Sequence, residues 1–213
     1  MSPWIALLTP LIAVAAFLTI RAEYRGPHRL VYACKPLATT LILALALATG
    51  GDDRAYTALI AAGMVCSLAG DIFLMLPQDR FIPGLVSFLL AHLAYIAAFI
   101  RAADRPLSGT SVLPLIPLLA YGIAVFAVLR PHLGPLLVPV LAYMLVILAM
   151  AWRAIEYARQ YPALGSLAAA FGALLFVISD SALALNRFAR PFRAAQALVL
   201  GTYFVAQWLI ALS

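Results

Sequence analysis

Eight long apolar runs, separated by short connections that carry arginine, make up almost the entire chain. Each run approaches the roughly 20 residues that an α-helix needs to cross a bilayer. Lipid cannot hydrogen-bond exposed backbone groups, so membrane spans are helices or closed barrels, and continuous apolar runs without period-2 alternation favour helices. The predicted spans cover about residues 4–20, 31–48, 55–76, 82–100, 111–129, 135–152, 163–185 and 194–212.

The composition agrees with a membrane protein. Of the 213 residues, 66% are hydrophobic and 10% are charged, whereas soluble domains are roughly half apolar. We therefore predict an all-α polytopic membrane helix bundle in which residues 1–213 form a single integral membrane domain. The net charge of +6 comes mainly from arginines between the spans, which predict orientation and contact with anionic membrane lipid rather than binding of nucleic acid.

The positions of the basic residues predict how the helices are oriented. The odd-numbered connections, with Lys35 counted in the first, carry nine Lys and Arg residues, and the even-numbered connections carry five. Lys and Arg concentrate in cytoplasmic loops. We therefore predict that the odd connections are cytoplasmic, that both termini lie outside, and that the protein resides in a bacterial inner (plasma) membrane.

Four ionisable residues interrupt the apolar runs. A charge at the centre of a membrane helix costs on the order of 3 kcal/mol on insertion scales and is rarely kept without a use. Asp71 and Asp180 each precede the predicted end of their span by about five residues, and Lys35 lies about four residues into its span, so all three are at similar depth. His92 is predicted nearer the midplane. The pattern predicts a polar pocket that opens toward the cytoplasmic face.

Residues one helical turn apart share a face, and this spacing adds polar side chains to the predicted pocket. They are Ser67 near Asp71, Tyr95 near His92, Ser179 beside Asp180, and the pair Tyr203 and Gln207 in the eighth span. Gly70, next to Asp71, predicts close approach of a neighbouring helix.

Two short segments resemble each other within the chain. Gly70-Asp71-x-x-Leu74-x-Leu76 is similar to Ser179-Asp180-x-x-Leu183-x-Leu185, and an Arg-Phe pair follows each. Because the segments lie in the third and seventh spans, a four-plus-four internal repeat would relate them.

The same residues have structural interpretations. A membrane Asp can be bonded to Ser, Tyr or Lys as structural glue, His92 can be an interior hydrogen-bonded histidine, and Lys35 is close enough to the interface to snorkel. Three classes of function therefore stay open at this point. They are a two-carboxylate enzyme, a small transporter whose acids relay protons, and a non-enzymatic lipid-binding protein.

No metal or other cofactor is predicted. A zinc or di-metal site needs three or more convergent His, Asp, Glu or Cys ligands, and of the three histidines, His28 and His132 fall in connections. The chain also lacks a Gly-rich phosphate loop, so nucleotide hydrolysis is not expected.

Several segments, in order and at their intervals, resemble a known family. They are Tyr24-Arg25-Gly26-Pro27, Lys35-Pro36, Ser67-Leu-Ala-Gly70-Asp71 with Leu76-Pro77, Phe88-x-x-x-His92-x-x-Tyr95, and Gly172-Ala-Leu-Leu-Phe176-Val-Ile-Ser179-Asp180. They are similar to those of the YhhN-type lysoplasmalogenases, eight-span membrane proteins that cleave the vinyl ether of lysoplasmalogens. The resemblance covers nearly the whole chain. It implies an ether hydrolase of lipid metabolism that acts on alkenyl glycerophosphoethanolamine or glycerophosphocholine.

Vinyl ether hydrolysis suits two carboxyl groups. Protonation of the β-carbon gives an oxocarbenium ion that water traps, and the hemiacetal then collapses to an aldehyde and an alcohol. As in glycoside hydrolysis, one carboxyl serves as acid while the other, ionised, stabilises the cation and activates water. We predict Asp71 and Asp180 as the catalytic pair, and the one farther from Lys35 as the acid.

The remaining candidates are predicted to bind substrate. Arg25, Lys35 and Arg187 at the cytoplasmic rim would hold the lipid phosphate. The side chains expected around the lipid are Ser67, His92, Tyr95, Ser179, Tyr203 and Gln207.

Overall fold

The apolar runs form helices that mostly continue past the last apolar residue. The computed structural model describes residues 3–78, 80–107 and 109–213, and these contain α-helices and short 3₁₀ and π turns but no strand. The α-helices are α1 (Pro3–Arg25), α2 (His28–Thr49), α3 (Arg54–Met75), α4 (Phe81–Ala102), α5 (Leu115–Leu133), α6 (Leu137–Gln160), α7 (Leu164–Ala184) and α8 (Ala195–Ala211). The predicted all-α class is confirmed.

The lengths of the helices match a bilayer. Among the described residues, six helical stretches are long and apolar enough to cross a membrane. One of them, Gly109–Gln160, contains both α5 and α6. The apolar helix α8, with 17 residues, is shorter than these stretches. Length and composition therefore indicate an integral membrane protein.

Several helical segments end later than predicted, including α1 at Arg25 instead of residue 20 and α5 at Leu133 instead of residue 129. Helix α6 continues to Gln160 instead of ending near residue 152, because Arg153 and Glu156 are buried in the bundle, with only 7% and 2% of their surface exposed. Helix α7 continues as a π-helical turn, Leu185–Ala189. Asp180 therefore lies about two turns before the end of its helical segment, deeper than predicted. Hydropathy misplaces such ends because it assigns every charged residue to a connection.

Most helices pack against the next helix in the chain, but α4 and α5 make almost no contact with each other. Helix α4 packs against α3 and α6, and α8 packs against α7, α2 and α1. Helix α5 contacts α6 and the turn Leu185–Ala189, so it lies at the edge of the bundle. The largest fully buried side chains include Tyr95, Phe99 and Phe176, which place α4 and α7 at the centre.

Helices α3 and α4 approach each other closely at Gly70. A β-carbon added there would lie 2.6 Å from the ring of Phe88, a separation that real side chains do not reach. The missing side chain therefore lets the Phe88 ring pack directly on the backbone of α3. The close approach predicted from Gly70 is confirmed, and it fixes Phe88 near Asp71.

Candidate active site

A polar cavity of about 100 Å³ lies at the end of the bundle where α1, α3 and α7 finish and α2 and α8 begin. Lys35, Asp71 and Asp180 all line it. Short connections make neighbouring helices antiparallel, so residues near the end of one helix meet residues near the start of the next. The other polar side chains of the wall are Glu23, Ser179, Gln196 and Tyr203.

Asp71 is held by donors from two other helices. The Nζ atom of Lys35 lies 3.2 Å from Oδ1 of Asp71. The hydroxyls of Thr39 and Tyr203 both donate to Oδ2, each at 2.7 Å. Only 1% of the Asp71 side chain is exposed. Because the ammonium and both hydroxyls act as donors, the arrangement suits an ionised carboxylate that accepts at both oxygens.

A chain of hydrogen bonds through Gln207 and Tyr95 also reaches the Tyr203 hydroxyl. Nε2 of Gln207 donates to the Tyr203 hydroxyl at 3.5 Å, and the Tyr95 hydroxyl donates to Oε1 of Gln207 at 2.7 Å. Tyr95 and Gln207 are fully buried. These contacts join α4 to α8 and fix the tyrosine that donates to Asp71.

Asp180 has a different environment. Its Oδ2 accepts a hydrogen bond from the Tyr143 hydroxyl. Nε2 of His92 lies 3.5 Å from the same carboxylate oxygen and 2.9 Å from the Tyr143 hydroxyl. In the described parts of the chain, no Lys or Arg pairs with Asp180, and its Oδ1 makes no hydrogen bond. With 17% of its side chain exposed, Asp180 has one oxygen fixed and the other open.

An apolar cavity of about 60 Å³ lies on the other side of Asp180, between α4, α5, α6 and α7. Its wall is mostly aliphatic and aromatic, with residues such as Phe81, Leu85, Val125, Leu129, Met144 and Ile147. Four residues line both this cavity and the polar cavity, namely Leu74, Phe88, Asp180 and Leu183. Asp180 is the only one of the four with a polar side chain. The Asp180 carboxyl group therefore lies at the boundary between the polar cavity and the apolar cavity.

The predicted site residues separate into two groups. Lys35, Asp71, Ser179, Asp180 and Tyr203 line the polar cavity. The others in the bundle core, Ser67, His92, Tyr95 and Gln207, are buried, and neither cavity has them in its described wall. Their role in substrate binding stays a prediction. His92 contacts Asp180 and Tyr143, whereas Tyr95 and Gln207 connect to Asp71 through Tyr203.

Of the three cations predicted to hold phosphate, only Lys35 is part of the described wall of the polar cavity. The guanidinium of Arg187 lies over the Phe81 ring, 4.2 Å from its centroid, beside the apolar cavity. Arg25 is exposed as the last residue of α1. Phosphate binding by Arg25 or Arg187 stays a prediction.

Sequence reasoning missed Thr39, Tyr143 and Glu23. Thr39 follows Lys35 by one helical turn, so the spacing rule that selected Ser67 could also have found it. Tyr143 is an isolated tyrosine in an apolar run, and nothing near it in the sequence indicates that it meets Asp180. Glu23 adjoins the Tyr24-Arg25-Gly26-Pro27 segment, at a helix end where charges usually reflect topology.

The described residues contain no group of three or more His, Cys, Asp or Glu side chains that could hold a metal ion. Cys34 and Cys66 are free thiols. The groups that reach the cavities are instead three carboxyls, one ammonium, one amide and several hydroxyls. This set is suited to proton transfer and to binding a polar ligand.

Comparison with known proteins identifies named relatives. The human protein Lysoplasmalogenase TMEM86B is 39% identical over 159 residues, which cover 74% of this chain but only 64% of the human protein. A protein of the same name from Sus scrofa is 36% identical over 181 residues, 84% of this chain and 72% of that protein. The "Uncharacterized membrane protein YhhN" of Escherichia coli O6:H1 is 33% identical over 202 residues, 95% of each chain.

No solved structure matches this chain. A sequence profile described as the YhhN family matches residues 30–213. That match covers most of the helices and every cavity-lining residue named above except Glu23. The chain therefore belongs to the YhhN family, as its motifs predicted.

Proposed function

We propose that this protein is a membrane hydrolase that cleaves the vinyl ether bond of lysoplasmalogens. The observation that carries the proposal is the position of Asp180, an open carboxyl group at the junction of a polar and an apolar cavity. A lysolipid has its reactive bond at such a junction, between an apolar chain and a polar head group. The names of the human and Sus scrofa relatives support the same substrate class.

The two aspartates take different roles in this proposal. Asp180 is the general acid, since it lacks a described cationic Lys or Arg partner and its Oδ1 is open. Asp71 is the ionised carboxylate, because Lys35, Thr39 and Tyr203 all donate to it. This assignment agrees with the expectation that the acid is the carboxyl farther from Lys35. Two carboxyls in unequal environments can take different roles in this way, here one as the proton donor and one as a fixed negative charge.

The reaction is a hydrolysis that consumes one water. Asp180 donates its proton to the β-carbon, the π electrons form the new C–H bond, and the α-carbon becomes an oxocarbenium ion. The negative charge of Asp71 stabilises this cation. Water then attacks the α-carbon and gives its proton to the Asp180 carboxylate. The hemiacetal loses the glycerol oxygen, which takes that proton, and the hemiacetal hydroxyl returns a proton to Asp180 as the aldehyde forms.

In this proposal each part of the lipid lies in a different cavity. The alkenyl chain begins in the apolar cavity, which holds only a few of its methylene groups, and continues into the bilayer, while the glycerophospho-head group lies in the polar cavity. Because α4 and α5 make almost no contact, the chain enters from the bilayer between these two helices. Tyr143 and His92 hold the second oxygen of Asp180 and so orient its acidic proton toward the vinyl ether.

The proposed membrane arrangement has eight spans with both termini outside, and the helices and the basic residues support it. Two crossings within Gly109–Gln160, by α5 and α6, together with one by α8, complete eight spans. At 1.5 Å per residue, the 17 residues of α8 reach about 25 Å, slightly less than a typical hydrocarbon core. The excess of Lys and Arg in the odd connections supports a cytoplasmic polar cavity, outside termini and a bacterial inner membrane. The four-plus-four repeat and the single domain stay predictions.

The test is to incubate purified protein with three lysolipids of equal chain length, attached by a vinyl ether, an ester or a saturated ether. We expect free long-chain aldehyde from the vinyl ether alone, because only the vinyl ether has a double-bonded β-carbon that can accept a proton. Fatty acid released from the ester would indicate acyl hydrolysis. Proton-coupled lipid uptake into liposomes, with no product from any lysolipid, would favour a transporter.

A further inference from the structure

Glu23 adds a third carboxyl group to the wall of the polar cavity, besides those of Asp71 and Asp180. It lies near the end of α1, is half-buried, and lines the cavity together with Lys35. The adjacent Tyr24 anchors this end of α1 to the start of α8. Its hydroxyl donates to the Arg193 carbonyl at 2.9 Å and accepts from the Ala197 backbone N–H at 3.1 Å. These two bonds fix the backbone of α1 next to Glu23, whose side chain lines the cavity.

The charges of the cavity wall are not balanced. Lys35 is the one cation among the described lining residues, and it is already paired with Asp71. Glu23 forms no salt bridge with any residue in the described ranges. A half-buried carboxylate without a cationic partner attracts a cation from the ligand. The wall thus offers an anionic group the Lys35 ammonium, which would be shared with Asp71, and offers a cationic group the unpaired Glu23 carboxylate.

We infer that Glu23 binds the ammonium of a zwitterionic lysolipid head group and thereby selects amine-bearing head groups over those that end in phosphate. The inference rests on the proposed function, because it assigns the head group to the polar cavity. With the vinyl ether at Asp180, the phosphate lies toward Lys35 and the amine lies beside Glu23 at the end of α1. A head group that ends in a phosphate monoester brings extra negative charge to Glu23 and gains no contact there.

The test compares two substrates with the same alkenyl chain, one ending in phosphoethanolamine and one ending in phosphate. For the wild-type protein, kcat/KM is expected to be about tenfold higher for the ethanolamine substrate, which corresponds to one charge-assisted contact. Glu23→Gln should lower kcat/KM for the ethanolamine substrate about tenfold and leave the phosphate substrate unchanged or improved. Glu23→Lys should reverse the preference. Asp52→Asn, an exposed acid in the α2–α3 connection, is the matched control and should change neither value.

A wild-type preference for the phosphate substrate, or an unchanged ratio in Glu23→Gln, would overturn the inference. Equal losses on both substrates in Glu23→Gln would also overturn it, since they would assign Glu23 a structural role. The wild-type ratio tests the inference even if the variants do not fold. Failure of the proposed function is a separate result, namely no aldehyde from either substrate with the wild-type protein.

Discussion

The Nζ atom of Lys35 lies 3.2 Å from Oδ1 of Asp71, and this ion pair makes the two aspartates of the polar cavity unequal. Asp180 instead contacts the Tyr143 hydroxyl and the His92 ring. Two identical side chains in one cavity thus have different partners and different exposure. Such a difference allows one carboxyl to stay ionised while the other carries a proton.

The Lys35–Asp71 pair should behave as a unit in mutant kinetics. Asp71→Asn is expected to lower kcat by at least ~10², the usual scale for a positioned acid or base. Lys35→Met should lower kcat as well as raise KM, because it leaves Asp71 buried without its cation. The loss of kcat in the double variant should be much smaller than the product of the two single losses. Independent, multiplicative losses in kcat would show that the ion pair does not matter to catalysis.

The apolar cavity should set the chain-length preference. Val125→Phe places a larger side chain in the cavity wall, so activity should fall more for long alkenyl chains than for short ones. Val128→Phe is the matched control, because Val128 is on the same helix, 52% exposed and outside the cavity. The measurement is kcat/KM across a series of chain lengths. A uniform loss for all chain lengths in Val125→Phe would place the alkenyl chain elsewhere.

The contact between Gly70 and Phe88 should control both stability and activity. Gly70→Ala forces the Phe88 ring to move, at a cost of about 1–3 kcal/mol for overpacking, and Phe88 lines both cavities. Gly201→Ala adds a methyl group where no atom lies within 4 Å, so it should be neutral or stabilising by up to about 1 kcal/mol. Thermal unfolding in detergent compares the two. Equal melting temperatures would mean that α3 and α4 pack less tightly than described.

Activity should not depend on a metal ion. The described residues have no cluster of three metal-ligating side chains, and the proposed chemistry needs only proton transfer and a stabilising carboxylate. The purified protein is therefore expected to keep its turnover after treatment with a strong chelator. Loss of activity that added zinc restores would revive a metal-dependent mechanism and assign His92 a role as a ligand.

Much of the architecture could be predicted because membrane insertion imposes simple rules. Apolar runs of the right length become helices, and the depth of Asp71, Asp180 and Lys35 along their runs predicts that they meet at one end. The ends of α6 and α7 could not be predicted, since buried Arg153 and Glu156 and the π turn after Ala184 depend on tertiary contacts.

The partners of each aspartate were harder to predict than the aspartates themselves. Helical spacing relates residues within one helix, so it could indicate Thr39 beside Lys35. It cannot indicate which face of α6 meets α7, and so it could not pair Tyr143 with Asp180. For the same reason it grouped Tyr95 and Gln207 with the pocket, although both lie behind its wall.

The most direct test of the account is the rate at which Asp180→Asn releases aldehyde from an alkenyl lysolipid. The substitution keeps the size of the side chain and an oxygen for Tyr143, but it removes the proton that the β-carbon must receive. We predict that kcat falls by at least ~10², while the protein keeps its thermal stability and still binds the saturated ether analogue. Wild-type turnover in Asp180→Asn would contradict the account, because another group would then have to supply the proton.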